Sequence, residues 1–584
     1  MNNPNRAEVV TMPAAKGWRR GRGVVLLGLA VGTGLGACGD RAPGWELSAD
    51  RAQAFALTDA VAVADPSADR VLLLTTDQTR HLHTTSVGTR RGVRTVMASP
   101  DRSKLFVLSD GDGDRRPPAG KQPQGAALEI ISRASTTSTV YPLSESLAGL
   151  ALDPQGDWAV VHADASSGAL VRNPNELLLV NLRGTAPTGN THPHTLRSFG
   201  GQPQRFTFTD VLNLPGGARR LLIVETEQDV AVLDLAHPDA PEITIQLTAG
   251  LDSRQLRPAG VVVTDGDPAV TDDARIAIRL TNDPTVILAQ FVPDSGRDVR
   301  PDLNLTDVGG VPGDVAFVRT DGGALKLAVL VPARSKAVLI DPATSVTVDV
   351  PLPAPYTRLS LVTEHAGPVP SGPGTNAGSV DVALLWNGAG GGTAGGGVAF
   401  WELGRTAGQP YRSVESVGVT AGVTSVLDVA GNHPQLKLLG TSASTFFLLD
   451  LKTRTSSPFL TSGAGVNVVP SIVGDRAWAF LPNTTQLSMI DLDSLHSDKM
   501  HVDRTVSQLF DIAAVEDDAD NPDNPDNPDN PHPGSRSLVV WHQAGTLGAT
   551  VYDARATAGD PEALFDEHRN YSSILTEDLD VQLP

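Results

Sequence analysis

The feature that most constrains the fold is a set of short apolar runs that recurs about every fifty residues. Beyond residue 55, β-branched and aliphatic runs alternate with clusters of Gly, Pro, Asp, Asn and Ser, and no apolar period of 3.6 residues is sustained. This pattern predicts an all-β chain. The clearest unit begins at Ala218 and reads as three strands, over 221–224, 230–235 and 243–247.

A polar residue closes the second recognisable strand of each unit and serves to measure the repeat. Neighbouring positions lie 41 to 62 residues apart, the size of a four-stranded blade. One small sheet cannot bury both of its faces alone, so blades must stack around an axis, and a closed ring protects their edges. We therefore predict a β-propeller of four-stranded antiparallel blades, about 7–10 in number and in a single ring. The ten positions are His83, Arg133, Asn181, Asp234, Gln290, Asp341, Glu402, Asp450, Asp491 and Asp553.

Two early turns resemble a motif of bacterial propellers. Residues 99–106, SPDRSKLF, and residues 153–160, DPQGDWAV, are similar to the SPDG-x-x-L turn of YVTN and TolB-like propellers. Arg102 stands where that family prefers glycine, and Leu152-Asp153 replaces the serine of the motif in the second turn. The resemblance implies a propeller and leaves its ligand open.

The N-terminal segment carries the pattern of an export signal. Four cations, Lys16, Arg19, Arg20 and Arg22, precede an apolar run over 24–37. This run is too short and too rich in glycine to span about 30 Å of hydrocarbon as a permanent helix. We expect a signal peptide that is removed. An ordinary secretory signal with an incidental cysteine is the alternative reading.

The last residues of this segment resemble the lipobox of bacterial lipoproteins. Leu35-Gly36-Ala37-Cys38 has small residues before the cysteine, and Cys38 is the only cysteine of the chain. In that family the cysteine sulfur is acylated and the residue becomes the new N-terminus. The resemblance implies lipidation of Cys38, three acyl chains and, because Gly39 is not aspartate, residence in the outer membrane. An exported chain with one cysteine has no internal disulfide.

The expected domain order is a signal peptide at 1–37, a lipid-anchored flexible tether at 38–54 and the propeller at 55–584. Two inserts interrupt the propeller. The Gly-rich loop 388–397 is flexible for entropic reasons. The insertion 516–535 contains DNPDNPDNPDNP, which has no apolar residues and a proline at every third position, so we expect it to be disordered.

The charge of the chain limits its partners. The formal net charge is −20, and removal of residues 1–37 takes away five cations and one anion, which leaves 41 cations, 65 anions and a charge of −24. Such a surface repels phosphate backbones, so we expect no nucleic-acid partner. We interpret the acidity as a source of solubility, with a site for cations or basic partners as the alternative.

Several groups match ligand motifs only in part. Alternating aspartates at 110, 112 and 114 are typical of calcium loops, yet Arg115 and Lys121 stand where an EF-hand needs glycine and glutamate. We expect solvated turns here, with an irregular calcium site as the alternative. His81 and His83, and likewise His192 and His194, supply only two imidazoles each, so we predict exposed histidines and no zinc. The weaker matches are the aspartates Asp265, Asp267, Asp272 and Asp273 and the G-x-G-x-x-G glycines Gly390, Gly392 and Gly395, which precede a strand-like run and read as a loop.

No catalytic motif is present in the sequence. It contains no G-x-S-x-G elbow, phosphate loop or sialidase Asp box, so we assign no catalytic residue and no cofactor. The aspartates that follow apolar strands are interpreted as turn initiators. Five tryptophans are candidate contact anchors, although packing between blades explains them better: Trp158, Trp386, Trp401, Trp478 and Trp541.

The sequence therefore favours a lipid-anchored, exported β-propeller that acts as a binding or scaffold protein at the cell envelope. Its expected partners are the membrane, through the anchor, and envelope or surface proteins, with the propeller facing the periplasm or the cell exterior. Two alternatives stay open. One is an exported propeller enzyme of the metal-dependent lactonase or hydrolase type, and the other is a surface protein of adhesion or motility.

Overall fold

The computed structural model describes most of the chain from residue 52 onward. Its described residues are 10–11, 52–77, 80–113, 122–133, 136–164, 173–183, 187, 189–197, 201–247, 256–266, 273–294, 299–320, 324–362, 382–388, 397–403, 414–419, 422–429, 433, 435–441, 445–460, 466–514, 536–543, 547–554 and 568–572. Cys38, the lipobox, the three G-x-G-x-x-G glycines and the insertion 516–535 lie outside these residues, as do most of the tether and of the Gly-rich loop.

The described residues form ten consecutive blades, each an antiparallel sheet of four strands, and blade 2 carries one additional short strand. Blades 1 to 3 contain β2 (Gln53–Ala56), β3 (Val61–Asp65), β4 (Arg70–Thr76), β5 (Leu82–Gly88), β6 (Val93–Ala98), β7 (Lys104–Ser109), β8 (Ala127–Ser132), β9 (Thr139–Pro142), β10 (Gly149–Leu152), β11 (Trp158–His162), β12 (Glu176–Asn181) and β13 (Thr191–Thr195). Blades 4 to 6 contain β14 (Pro203–Leu214), β15 (Gly217–Thr226), β16 (Asp229–Asp234), β17 (Ile243–Gln246), β18 (Pro258–Thr264), β19 (Arg275–Leu280), β20 (Thr285–Pro293), β21 (Val299–Asp307), β22 (Asp314–Arg319), β23 (Leu325–Val331), β24 (Lys336–Ile340) and β25 (Thr347–Pro351), with a 3₁₀ turn at Pro332–Arg334. Blades 7 to 10 contain β26 (Arg358–Leu361), β27 (Val382–Trp386), β28 (Val398–Glu402), β29 (Val414–Val417), β30 (Val423–Asp428), β31 (Leu436–Thr441), β32 (Thr445–Asp450), β33 (Thr455–Leu460), β34 (Asn467–Pro470), β35 (Arg476–Phe480), β36 (Thr484–Asp491), β37 (Ser497–Val506), β38 (Gln508–Ala513), β39 (Arg536–His542), β40 (Gly548–Asp553) and β41 (Arg569–Ser572).

Within each blade the strands are hydrogen-bonded in sequence order, and the first strand lies nearest the axis, where it approaches the first strand of the next blade. We call the face at which first strands begin the upper face, and the face at which second strands begin the lower face. The second and third strands are almost wholly buried, as in Leu327–Val331 of β23. They read as continuous apolar runs because both of their faces pack on neighbouring blades.

Ten apolar clusters hold the ring together, one at each junction between neighbouring blades. The cluster that joins blade 10 to blade 1 packs Val61 and Leu74 against Val539 and Trp541. This junction closes the ring through side-chain packing, because blades 1 and 10 each consist of consecutive strands. The chain is thus a ten-bladed β-propeller, and the predicted fold is confirmed.

Hydrogen bonds across the closing junction reinforce this packing. The Thr76 hydroxyl donates to the Ser537 hydroxyl at 2.8 Å, and the Leu82 amide donates to the Tyr571 hydroxyl oxygen at 3.0 Å. Burial of such polar groups costs free energy unless they are paired, so the pairs fix how blade 10 meets blade 1.

The sequence repeat corresponds to one blade. The polar residue used to measure it follows the third strand of the blade, whereas the sequence analysis assigned it to the second. In the unit that begins at Ala218, an additional strand, β14, precedes the three that the sequence indicated. Eight of the ten polar residues used to measure the repeat lie at the end of a third strand or directly after it. His83 instead lies inside β5, where Asp77 occupies the equivalent position, and Gln290 lies inside the long β20.

Both turns of the SPDG type connect first and second strands at the lower face. Arg102 adopts a left-handed conformation with φ of 56°, and Gly156 occupies the matching position with φ of 76°. The family's preference for glycine therefore has a backbone cause at this position, since side chains other than glycine are strained there.

Two further features concern the N-terminal segment and membrane crossing. Val10–Thr11 (β1) pair with Val96 and Thr95 of β6 and extend blade 2 at the axis. These two residues belong to the segment that the sequence predicts to be a signal peptide. In the part of the chain described here, no helix has the length and apolar character needed to cross a bilayer.

Candidate functional site

The Asp-rich turns that resemble calcium loops use their carboxylates within the protein. Asp110 pairs with the Arg94 guanidinium at 2.5 Å, and Asp112 accepts a hydrogen bond from the Gln124 amide at 2.8 Å. Asp265 accepts from the amide and side chain of Asn213. Across the described residues, no group of three or more His, Cys, Asp or Glu side chains is arranged to hold a metal ion. Asp114, Asp267 and Asp272 lie outside the described residues.

The two histidines of β13 make specific contacts with blade 4. His192 lies 3.1 Å from Asp239, and His194 lies 3.2 Å from Glu242 and from the Pro238 carbonyl oxygen. His194 is buried, so the prediction of an exposed histidine is wrong at this position. Burial would raise the pKa of Glu242, but the hydrogen bonds from His194 and from the Arg197 and Glu242 amides together outweigh this and lower it to about 2. The pair therefore joins blades 3 and 4.

The aspartates that follow third strands begin turns, as predicted. Asp341 accepts hydrogen bonds from the amides of Ala343 and Thr344, both at 3.0 Å. Asp450 does the same with Lys452 and Thr453, at 2.7 and 2.9 Å. Equivalent bonds form at Asp234 and Asp491, whereas Asp553 pairs with Arg80 of blade 1 at 3.3 Å.

The tryptophans pack between blades rather than on the surface. Trp401, Trp478 and Trp541 are fully buried at the junctions of blades 6 and 7, 9 and 10, and 10 and 1. Trp158 lies at the junction of blades 3 and 4, and Trp386 packs partly buried between blades 7 and 8. The prediction of inter-blade packing is confirmed.

One buried ionic cluster, which we call the Arg536 cluster, lies between blades 9 and 10 at the lower face and consists of Arg536, Asp475 and Asp511. The Arg536 guanidinium donates to Asp475 at 3.0 Å and to the Ala554 carbonyl oxygen at 3.0 Å, and its Nε lies 3.8 Å from Asp511. Burial raises the pKa of Asp511 to about 6, although the Arg536 charge and the nearby Trp478 indole both lower it. The Asp511 carboxylate and the Trp478 indole nitrogen form no hydrogen bond of normal geometry. Arg536 and Asp511 are buried, whereas the Asp475 side chain is partly exposed, and the Arg536 guanidinium is engaged within the protein.

A second set of charges, which the sequence analysis did not identify, lies at the axis on the upper face. We call Arg205, Arg279 and Arg358, from blades 4, 5 and 7, the rim arginines. Each lies near the start of a first strand or the end of a second strand, so all three belong to the same layer of the ring. The first strands of blades 8, 9, 10 and 1 begin there with uncharged residues: Val423, Asn467, Gln508 and Gln53.

Arg205 and Arg279 approach the same stretch of backbone from two sides. Arg205 Nη1 donates to the Ala259 carbonyl oxygen at 3.1 Å, across the junction from blade 4 to blade 5. Arg279 lies opposite Gly260 in the β18–β19 register, and a Cβ at Gly260 would stand 2.9 Å from Arg279 Nε. The glycine thus leaves the space that the Arg279 side chain uses.

Two carboxylates accompany the rim arginines. Glu225 accepts two hydrogen bonds from Arg205 Nη1, at 3.0 and 3.2 Å. Asp314 accepts from the amides of Leu359 and Val315, both at 3.0 Å, which places it beside the residue that follows Arg358. Burial raises the pKa of Glu225 and of Asp314, while the nearby arginines oppose that change. The five side chains carry a formal charge of +1 when all are ionised.

Arg279 has hydrogen-bond donors that no described residue uses, although it is partly buried. Among the described residues, neither Arg279 nor Arg358 forms a hydrogen bond or an ion pair through its guanidinium group. Burial lowers the pKa of Arg279, and the charges of Arg358 and Arg205 lower it further against the opposing effect of Asp314. A guanidinium group has only donors, so Arg279 and Arg358 supply donors and positive charge at the upper rim. We take it as the candidate functional site.

The comparisons with known proteins concern the fold. No protein-family model matches the chain, and no curated protein matches it. Similar solved structures include the dihydro-heme d1 dehydrogenase NirN in complex with DHE, with 12% identity over 70% of this chain and 74% of that chain and a TM-score of 0.38. Others are Saccharomyces cerevisiae Sqt1, with 13% identity over 70% and 95% and a TM-score of 0.36, and a eukaryotic initiation factor, with 12% identity over 71% and 88% and a TM-score of 0.37.

Proposed function

We propose that the chain is a lipid-anchored, exported β-propeller that serves as a binding or scaffold protein at the cell envelope, with its anchor in the outer membrane. The observation that carries this proposal is the combination of a closed ten-bladed ring with the lipobox-like segment that ends at Cys38. A ring of this kind presents a broad rim of loops at each face, which suits contacts with large partners.

The anchor is tested by the intact mass of the membrane-extracted protein. We expect a chain that begins at Cys38 and carries three acyl chains, and we expect Cys38→Ser to remain unprocessed and to lose incorporation of labelled fatty acid. Gly39→Asp is the control that tests the choice of membrane. This variant should keep the acyl chains and be found in the inner membrane. An unmodified Cys38 behind an intact leader would refute the anchor.

The scaffold role is tested by crosslinking in native membranes. Because Cys38 is the only cysteine and is acylated in the proposal, an introduced cysteine supplies a unique free thiol. We expect Gln508→Cys, at the upper rim, to capture envelope proteins, whereas Arg300→Cys on the outer strand of blade 5 marks the side of the ring. A chain that captures no envelope protein from either position contradicts the proposal.

A further inference from the structure

We propose that the rim arginines form a binding site for an anionic group, a carboxylate or a phosphate, on a ligand that enters the channel from the upper face. The inference deepens the proposed binding function, since it assigns a chemical class to what the rim binds. It starts from a contrast, because this positive site lies on a chain whose formal net charge is −20.

The first argument is the distribution of partners within the site. Arg205 is engaged by Glu225 and by the Ala259 carbonyl oxygen, and Asp314 is engaged by two backbone amides. The charge of Asp314 attracts Arg279 and Arg358, but among the described residues no carboxylate forms a hydrogen bond or an ion pair with either guanidinium group. Two guanidinium groups near each other, each with donors in a planar fork, match the paired oxygens of a carboxylate or phosphate.

The second argument is the local geometry around Arg279. Its side chain is half-buried against the inner strand of its own blade, where the absence of a side chain at Gly260 lets Nε pack close to the backbone. A partly desolvated cation binds an anion more strongly than an exposed one, because water screens the attraction less. An ordinary surface arginine, such as the exposed Arg300, lacks this setting.

The third argument is the mutual effect of the rim arginines. Like charges held close together destabilise one another, and here burial adds to that cost. An anion bound between Arg279 and Arg358 offsets both the repulsion between the two cations and the cost of burying Arg279. Binding therefore gains free energy from this compensation as well as from the hydrogen bonds. On the side of the ring formed by blades 8, 9, 10 and 1, the first strands begin with uncharged residues.

The test is a calorimetric titration of the full-length chain with inorganic phosphate and, separately, with citrate, at constant ionic strength. We expect saturable binding of at least one probe, and the stronger probe identifies phosphate or carboxylate as the preferred group. Arg279→Gln and Arg358→Gln should each weaken binding about tenfold, since loss of one charge-assisted contact is worth about 1.4 kcal/mol or more. Arg279→Lys should keep the charge and recover only part of the affinity.

Arg300→Gln is the matched control, because it removes the same charge from the same blade and should leave the affinity within about twofold of the wild type. Arg358 is exposed, so we expect Arg358→Gln to fold normally. This variant therefore still tests the proposal if Arg279→Gln does not fold. The proposal is overturned if the wild type binds neither probe saturably, or if Arg300→Gln weakens binding as much as the rim variants. Failure of the Cys38 anchor would refute the envelope role and leave this titration unaffected.

Discussion

The Arg536 cluster and the rim arginines place charged side chains at opposite faces of the ring, and they differ in how those charges are used. In the Arg536 cluster a single buried arginine lies between two aspartates at the junction of blades 9 and 10. At the rim, two of three arginines form no hydrogen bond or ion pair with a carboxylate among the described residues. The first arrangement is internal to the fold, while the second leaves donors for a ligand. Burial of a charge therefore does not reveal its role until its partners are counted.

The largest expected effect comes from removal of Arg536. Arg536→Met leaves Asp511 buried without its cation and removes the bond to Asp475, so we expect a loss of about 3–5 kcal/mol in the free energy of unfolding. Urea denaturation at pH 7 measures this loss. Arg300→Met, at an exposed site, is the control and should change stability by less than about 0.5 kcal/mol. A loss below about 1 kcal/mol for Arg536→Met would show that the cluster is not a structural element.

The same cluster predicts a pH dependence. The pKa of Asp511 is about 6 in the folded chain, above the ordinary value of 3.8, so the folded state binds the extra proton between these limits. Asp511 therefore lowers stability progressively as the pH rises through this window, by up to about 3 kcal/mol once it is ionised.

Asp511→Asn should remove that dependence. We expect the variant to be more stable than the wild type at pH 8 and to lose the advantage at pH 4, where the wild-type carboxyl is protonated. Urea denaturation at the two pH values measures the difference between the chains. An equal difference at pH 4 and pH 8 would contradict a raised pKa for Asp511.

The contrast between the two clusters also explains what the sequence could predict. The strands, the blade size and the turn aspartates follow from local patterns, since an apolar run and the aspartate after it are neighbours in the chain. The blade number falls within the predicted interval because the positions used to measure the repeat recur once per blade, even where they lie on another strand. Local pattern therefore carries most of the fold.

The candidate site could not be predicted in this way. Its arginines come from three blades, and nothing in the sequence near Arg205, Arg279 or Arg358 indicates that they share one layer of the ring. The one local signal is Gly260, which interrupts an apolar strand as glycine does where another group needs close approach. The same reason explains the error at His194, which is buried by Glu242 of the next blade.

The smallest expected effects separate members of the rim from one another. Arg205→Gln deprives the buried Glu225 of its cation, so we expect a loss of about 1–2 kcal/mol at pH 7, most of it from the unpaired carboxylate rather than from the half-exposed ion pair. Because burial raises the pKa of Glu225, part of this loss should be regained as the pH falls and the carboxyl takes up a proton earlier than an ordinary glutamate does.

Arg279→Gln should behave differently, with a change in stability of less than about 0.5 kcal/mol or a small gain. The Arg279 guanidinium has no partner to lose among the described residues, and glutamine removes a charge that burial and two nearby arginines disfavour. Urea denaturation of both variants at pH 7 measures the contrast. If Arg279→Gln is as destabilising as Arg205→Gln, Arg279 is structural like Arg536. If Arg279→Gln leaves the free energy of unfolding unchanged and weakens anion binding, Arg279 serves the ligand and not the stability of the fold.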